Sequence, residues 1–267
     1  MKYSNIIWMV VILLFGSLAV QAQADSEFTI PLTSPDKKGK LEVDIKSGSI
    51  TVKCTPRKDI LIKYESLSSS EVKMEKASNG LKKINGGITN LEVYEEDNMV
   101  SIESDNWNKG VNLYIETPQN MDMELSAYNN GDVSLEGAVG NIEIENYNGS
   151  ITAKDISGTL IADTYNGDIK VSFLKLTPDI PLAFTTYNGN VDLTLPAATK
   201  ASVKVRSNYG DIFTGFDMQF TKPKPQVQKE KRKMYIDGWF TGDINGGGPE
   251  FRMENYHGDI YIRKLGS

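Results

Sequence analysis

The sequence predicts an all-β chain, wound as a single-chain parallel β-helix behind an N-terminal antiparallel β cap. One short phrase recurs, as Tyr147-Asn148-Gly149-Ser150-Ile151, Tyr165-Asn166-Gly167-Asp168-Ile169, Tyr187-Asn188-Gly189-Asn190-Val191 and Tyr256-His257-Gly258-Asp259-Ile260. Looser copies are Tyr128-Asn129-Asn130-Gly131-Asp132-Val133, Asn208-Tyr209-Gly210-Asp211-Ile212 and Thr241-Gly242-Asp243-Ile244. The glycines stand at 131, 149, 167, 189, 210, 242 and 258, in steps of 18, 18, 22, 21, 32 and 16. A short, near-constant period marks stacked supersecondary units. On both sides of the phrase apolar and polar residues alternate, as in Ile142 and Ile144 against Glu143 and Glu145, the pattern of half-buried strands.

Each phrase is a corner, because glycine takes positive φ without steric cost and asparagine tolerates it. Gly131, Gly149, Gly167, Gly189, Gly210, Gly242 and Gly258 are therefore the expected structural corners. A β-branched residue at Gly167 would be strained there. Equal spacing favours one corner per coil, with strands stacking about 4.8 Å apart. The alternation turns Ala127, Asn146, Thr164, Thr186, Ser207 and Asn255 inward and the following residue outward. Tyr128, Tyr147, Tyr165, Tyr187 and Tyr256 thus form a surface column, interrupted by Asn208, and are the candidate binding residues.

Residues 1–24 carry one charge, Lys2, then an apolar run and small residues at Ala22 and Ala24, the pattern of a secretory signal peptide. The run from Ile6 to Val20 is 15 residues, short of the roughly 20 a spanning helix needs. The mature chain is expected to lack an integral membrane segment and to lie in the periplasm, at the outer membrane surface or outside the cell. Without Lys2 the balance is 28 basic against 35 acidic side chains, or −7, which argues against nucleic acid as partner. The lone Cys54 is in phase with Ile50 and Val52 and reads as a buried small residue.

Residues 25–117 are expected to form the cap and first irregular coils, with strands at 41–45, 50–54, 60–64, 91–94, 100–103 and 111–117. Ser70 to Ala77 reads as two turns of helix. Residues 118–267 hold the regular coils. Pro118, Pro178, Pro181, Pro196 and Pro249 mark the opposite bend, since proline cannot donate to a ladder. Residues 221–233, with six basic side chains, read as a solvated insertion; removing these 13 from the step of 32 leaves 19, one ordinary coil.

The block Gly238-Trp239-Phe240-Thr241-Gly242-Asp243-Ile244-Asn245-Gly246-Gly247-Gly248-Pro249-Glu250-Phe251, the segment from Asn255 to Lys264 and Gly80-Leu81-Lys82-Lys83-Ile84 resemble secreted bacterial β-strand-repeat proteins labelled auto-transporter-like adhesins. That resemblance covers essentially the mature chain. It implies a β-helix-like fold in the cell envelope and supplies no catalytic residue to transfer.

Parallel β-helices also host polysaccharide lyases and hydrolases, which need clustered carboxylates. Asp132, Asp168, Asp211, Asp243 and Asp259 share one corner position, but Ser150 and Asn190 stand there too. A position that alternates among Asp, Ser and Asn fits a hydrogen-bonding partner for the turn backbone better than a catalytic column. Toxin-type calcium rolls need two Gly-Gly-x-Gly-x-Asp units per coil, which are missing here. One histidine, His257, cannot make a zinc site. The expectation is therefore a non-enzymatic envelope or surface protein without cofactor or metal, presenting a rigid face to an envelope polysaccharide or a surface protein. The alternative is a polysaccharide-active enzyme.

Overall fold

The computed structural model describes residues 26–67, 73–76, 82–85, 90–221, 225–228, 233–236 and 238–266; the segment read as a signal peptide lies outside them. The described residues contain no helix. The strands are β1 (Ser26–Pro31), β2 (Gly39–Ser47), β3 (Ile50–Thr55), β4 (Asp59–Ser66), β5 (Lys73–Lys76), β6 (Lys82–Asn85), β7 (Glu92–Glu96), β8 (Met99–Ser104) and β9 (Val111–Pro118). They continue as β10 (Met121–Asn129), β11 (Val133–Glu136), β12 (Asn141–Asn148), β13 (Ile151–Asn166), β14 (Ile169–Leu176), β15 (Leu182–Asn188), β16 (Val191–Leu195), β17 (Ala201–Ser207) and β18 (Ile212–Thr214). The last five are β19 (Pro225–Gln228), β20 (Lys233–Ile236), β21 (Phe240–Ile244), β22 (Glu250–His257) and β23 (Ile260–Lys264).

Each repeat contributes one strand to each of two layers, joined by the Tyr-Asn-Gly corner. In the first layer the neighbours run β7, β8, β2, β10, β12, β13, β15, β22, β17, β21, and every pairing from β8 to β17 is parallel. In the second they run β1, β4, β9, β3, β11, β13, β14, β16, β23, β18, parallel from β9 onward. The long β13 serves both layers, its first residues pairing with β14 and its last with β15. The margins are antiparallel, with β7 on β8, β21 on β17, β4 on β9 and β1 on β4.

The alternation puts one side of every strand into the space between the layers. Leu125, Ile144, Ala162, Phe184, Met253 and Val205 face Val133, Ile151, Ile169, Val191 and Ile260 from the other layer, and all are buried. Burying each larger apolar side chain contributes about 1.5–3 kcal/mol. Phe173, Phe184 and Phe251 are the bulkiest fully buried side chains.

Four expectations are corrected. The coils do not stack in chain order: β22 lies between β15 and β17, and β23 between β16 and β18. The same happens at the other end, where β8 and β9 lie outside β2 and β3. Gly242 is not a corner; it sits inside β21 opposite Val203 in an antiparallel pair, so the residues around it make no extra coil. The stretch Ser70 to Ala77, expected as helix, contains β5, which pairs with β6, and its remaining residues lie outside those described. Finally, the basic segment 221–233 carries β19 and the first residue of β20, an antiparallel pair rather than a plain loop; Thr221 bridges Thr241.

Candidate functional site: a tyrosine ladder over a polar corner

The corner is held by three parallel ladders, each built from one position of the phrase. The glycines come closest: a Cβ on Gly149 would sit 2.0 Å from the Gly131 carbonyl oxygen, on Gly167 2.2 Å from that of Gly149, and on Gly258 2.2 Å from that of Gly189. The column runs on through Gly210 against Gly258 and Gly131 against Gly48, which itself abuts the Val111 carbonyl. Gly131, Gly149 and Gly210 are not at positive φ, while Gly48 and Gly258 are, at 115° and 119°. Close approach of successive backbones is the demand common to the column. The expected positive φ is met at only some positions, so the strain expected at Gly167 is mainly a clash. The structure places six of the seven predicted glycines in this column and adds Gly48.

The glycine carbonyls are satisfied from inside. Thr164 Oγ1 donates to Gly149 O at 2.9 Å, Thr186 Oγ1 to Gly167 O at 2.9 Å, Asn146 Nδ2 to Gly131 O at 3.0 Å, Asn255 Nδ2 to Gly189 O at 3.2 Å and Ser207 Oγ to Gly258 O at 3.0 Å. This explains the polar residue at the inward position of every coil from Asn146 onward, where an unpaired carbonyl would cost about 1–3 kcal/mol. The asparagines after the tyrosines form a second ladder, Asn148 Nδ2 to Asn129 Oδ1, Asn166 to Asn148 and Asn188 to Asn166, at 2.7–2.8 Å. His257 takes the next rung, its Nδ1 3.2 Å from Asn188 Oδ1. The residue after glycine forms the third: Asp132, Ser150, Asp168, Asn190 and Asp259 each accept the backbone N–H of the next coil's equivalent, at 2.7–3.2 Å. Those carboxylates are committed to turn backbone, which is why Ser and Asn can replace Asp.

The tyrosines stand outward on this frame. Ring centroids of Tyr128 and Tyr147, Tyr147 and Tyr165, Tyr165 and Tyr187, and Tyr187 and Tyr256 are 4.7, 5.0, 4.9 and 4.7 Å apart, with planes within 6° of parallel. Sequence reasoning missed both ends of the column. Trp107 meets Tyr128 edge-on at 4.7 Å, and Tyr209 meets Tyr256 edge-on at 5.1 Å while stacking on His257. Trp107 carries no repeat signal. Tyr209 did, in the shifted corner that puts Asn208 where a tyrosine would stand. About 40% of each of Tyr128, Tyr147, Tyr165 and Tyr187 remains exposed.

Beside the ladder runs a groove of about 710 Å³, lined on its floor by Asp44, Ser126, Glu145, Asp163, Thr185 and Glu254. All but Asp44 are the outward residues two positions before each tyrosine, and Asp44 is in register with Ser126 on the neighbouring strand. Partial burial pushes the Asp163 carboxyl above its ordinary range, opposed by a hydrogen bond from Thr185 and by Arg252. At the far end burial also pushes Glu254 up, but hydrogen bonds from Arg252 and Arg206 outweigh it and leave that carboxyl low. Arg252, Arg206 and Lys204 all lie over the Trp239 ring, 4.7–5.0 Å from its centroid. Among the described residues no cluster of three or more His, Cys, Asp or Glu could hold a metal ion. No described helix is long and apolar enough to cross a membrane.

An all-β stack with repeated corner ladders is the class defined by this geometry. The chain belongs to the Toastrack DUF4097 family, whose model matches residues 4–238. Two solved structures are similar: a "putative cell adhesion protein" from Clostridium sporogenes, at 12% identity over 90% of this chain and 99% of that one with a TM-score of 0.49, and a "putative adhesin" from Bacteroides fragilis, at 13% identity over 91% and 98% with a TM-score of 0.34. Likenesses this distant decide neither fold detail nor function. Among curated proteins, none matches the chain.

Proposed function

We propose that this is a non-enzymatic cell-envelope or surface protein, a parallel β-helix with an antiparallel N-terminal cap, whose tyrosine corner is the rigid face used for adhesion or assembly. The observation that carries the reading is the stack of five parallel tyrosine rings on an exposed corner. Burying the rings inward would have served packing alone. The stacking also refines what the face offers. Ring faces within the column are spent on one another, so a partner meets ring edges and phenol hydroxyls repeating at 4.7–5.0 Å, beside a groove floored by carboxylates. Such a surface suits hydrogen bonding to a repeating polymer, an envelope polysaccharide first and a surface protein second. It does not suit sugar rings lying flat on aromatic faces. The commitment of the corner carboxylates to backbone amides argues against the polysaccharide-cleaving alternative.

Two triple variants test this. Replacing Tyr147, Tyr165 and Tyr187 by phenylalanine keeps the stack and removes the hydroxyls. Replacing them by serine also removes four stacked pairs, costing about 2–6 kcal/mol in total at 0.5–1.5 kcal/mol each. On a glycan array and in pull-downs from envelope fractions, the wild type is expected to bind, the phenylalanine variant to lose binding at unchanged stability, and the serine variant to lose both. A wild type that binds nothing, or a phenylalanine variant that binds as well as wild type, removes this reading.

A further inference from the structure

The outer side of the first layer carries a second pattern, four residues before the tyrosines and so about 13 Å from them at ~3.3 Å per residue. Read across the strands in spatial order, one row is Glu42, Glu124, Glu143, Ile161, Ala183, Arg252, Lys204, on β2, β10, β12, β13, β15, β22 and β17. Acidic residues fill one half, cationic residues the other, and two apolar residues the middle. Ile161 is 41% exposed, although it stands in a layer whose other large aliphatic side chains are turned inward. The insertion of β22 between β15 and β17 sets which cation stands next to Ala183, Arg252 rather than Lys204.

Such a row is self-complementary under a two-fold axis. With the axis between Ile161 and Ala183, Glu143 of one copy lies over Arg252 of the other, Glu124 over Lys204, and Ile161 over Ala183, each contact occurring twice, as an isologous interface requires. We propose that this face is a docking surface for a second copy of the same chain. The charges are placed for it. Lys40 already bridges Glu42 and Glu124, at 2.5 and 2.7 Å, so that end is partly neutralised. No described cation pairs with Glu143 or Glu145. At the other end Arg252 pairs with Glu254, a carboxylate that Arg206 also contacts, and Lys204 lies on Trp239. The area is sufficient. Eight strands, β8 to β17, at ~4.8 Å and about six residues wide at ~3.3 Å make a face of roughly 760 Å², close to the ~800 Å² per partner of a stable interface.

The inference rests on the charged row, independent of the tyrosine edge, and its test separates the two. In analytical ultracentrifugation the wild type is expected to sediment as a dimer whose affinity weakens between 0.1 and 1 M salt, where the screening length drops from ~10 to ~3 Å. Glu143→Arg and Arg252→Glu should each weaken dimerisation at least about tenfold, because each sets like charges opposite one another. The double variant, and an equimolar mixture of the two single variants, should regain the dimer, since every mismatched contact becomes a matched one. Circular dichroism checks that each variant is folded, and the mixture remains informative even if the double variant is not. The phenylalanine triple variant should dimerise as wild type. A wild type that stays monomeric up to ~0.1 mM, or single variants that dimerise unchanged, would overturn the proposal.

Discussion

The two turns of each coil obey different rules. At the Tyr-Asn-Gly corner, glycine, asparagine and the following polar residue repeat almost unchanged from Tyr128 to His257, because each contacts its counterpart one coil away, and from Asn146 onward the inward hydroxyl or amide repeats because it donates to the neighbouring coil's glycine carbonyl. At the opposite bend the close approach is brief: a Cβ on Gly158 would sit 2.1 Å from the Gly140 carbonyl oxygen and one on Gly140 2.5 Å from that of Met121, after which Pro178, Pro196 and Gly246 to Pro249 make connections of differing length. Repetition is imposed where like meets like along the stack. Where a bend only returns the chain, its length and composition are free.

The sharpest break of this contrast is a pair of glycine substitutions. Gly149→Ala puts a methyl group 2.0 Å from a backbone oxygen without any positive φ to relieve. It should destabilise by about 3 kcal/mol or more, lowering Tm by roughly 6–12 °C for a chain of this size. Gly246→Ala, at φ 88° with nothing within 4 Å of the added atom, should cost only about 1 kcal/mol of backbone strain. Equal costs in urea unfolding would show that φ, rather than backbone approach, selects the corner glycines.

A smaller effect sharpens the same comparison. Asn166→Ala removes its bond to Asn148 and the one it accepts from Asn188, and should cost about 1–3 kcal/mol on urea unfolding at about 0.5–1.5 kcal/mol per bond. A cost near zero would make the amide ladder a by-product of the glycine column. The smallest effect is at the opposite side. Cys54, whose carbonyl faces Gly137 near that bend, has its thiol pushed up to about 12, by burial first and by Glu136 second. Alkylation at pH 8 should therefore be undetectable in the native protein and complete in denaturant. Rapid labelling of the folded chain would show that this bend opens.

Much of the corner was legible because its determinants are local in sequence. Tyr147, Asn148, Gly149 and Ser150 are consecutive, and each meets an equivalent 18 residues on, so the period announces the ladder. The turn role of the Asp132 position was also readable, from its exchange with Ser150 and Asn190. The order of the coils was not. A repeat reports that units stack, but the pairing of β22 with both β15 and β17 is a long-range choice that alternating apolar residues do not encode. For the same reason Gly242, with the right neighbours in sequence, fell inside an antiparallel strand, while Gly48, with the wrong ones, joined the column. The segment around β5 misled through composition, since charged residues next to Ser70 read as helix when pairing with β6 decides otherwise. Trp239 and its three cations come together only through the inserted strands.

That insertion also governs the order of events when the molecule assembles. Until residues 250–264 arrive, β15 and β17 have a strand-wide gap between them, as do β16 and β18, and their facing backbone groups have no partners in the stack. The coil 201–214 must therefore wait, unattached in register, for a segment some fifty residues downstream. Closure over that sequence separation is entropically slow, and open edges are the surfaces through which β proteins recruit foreign strands. Assembly then finishes at the inserted strands, like a keystone set after the stones on either side, and the vulnerable interval is the one just before they are seated.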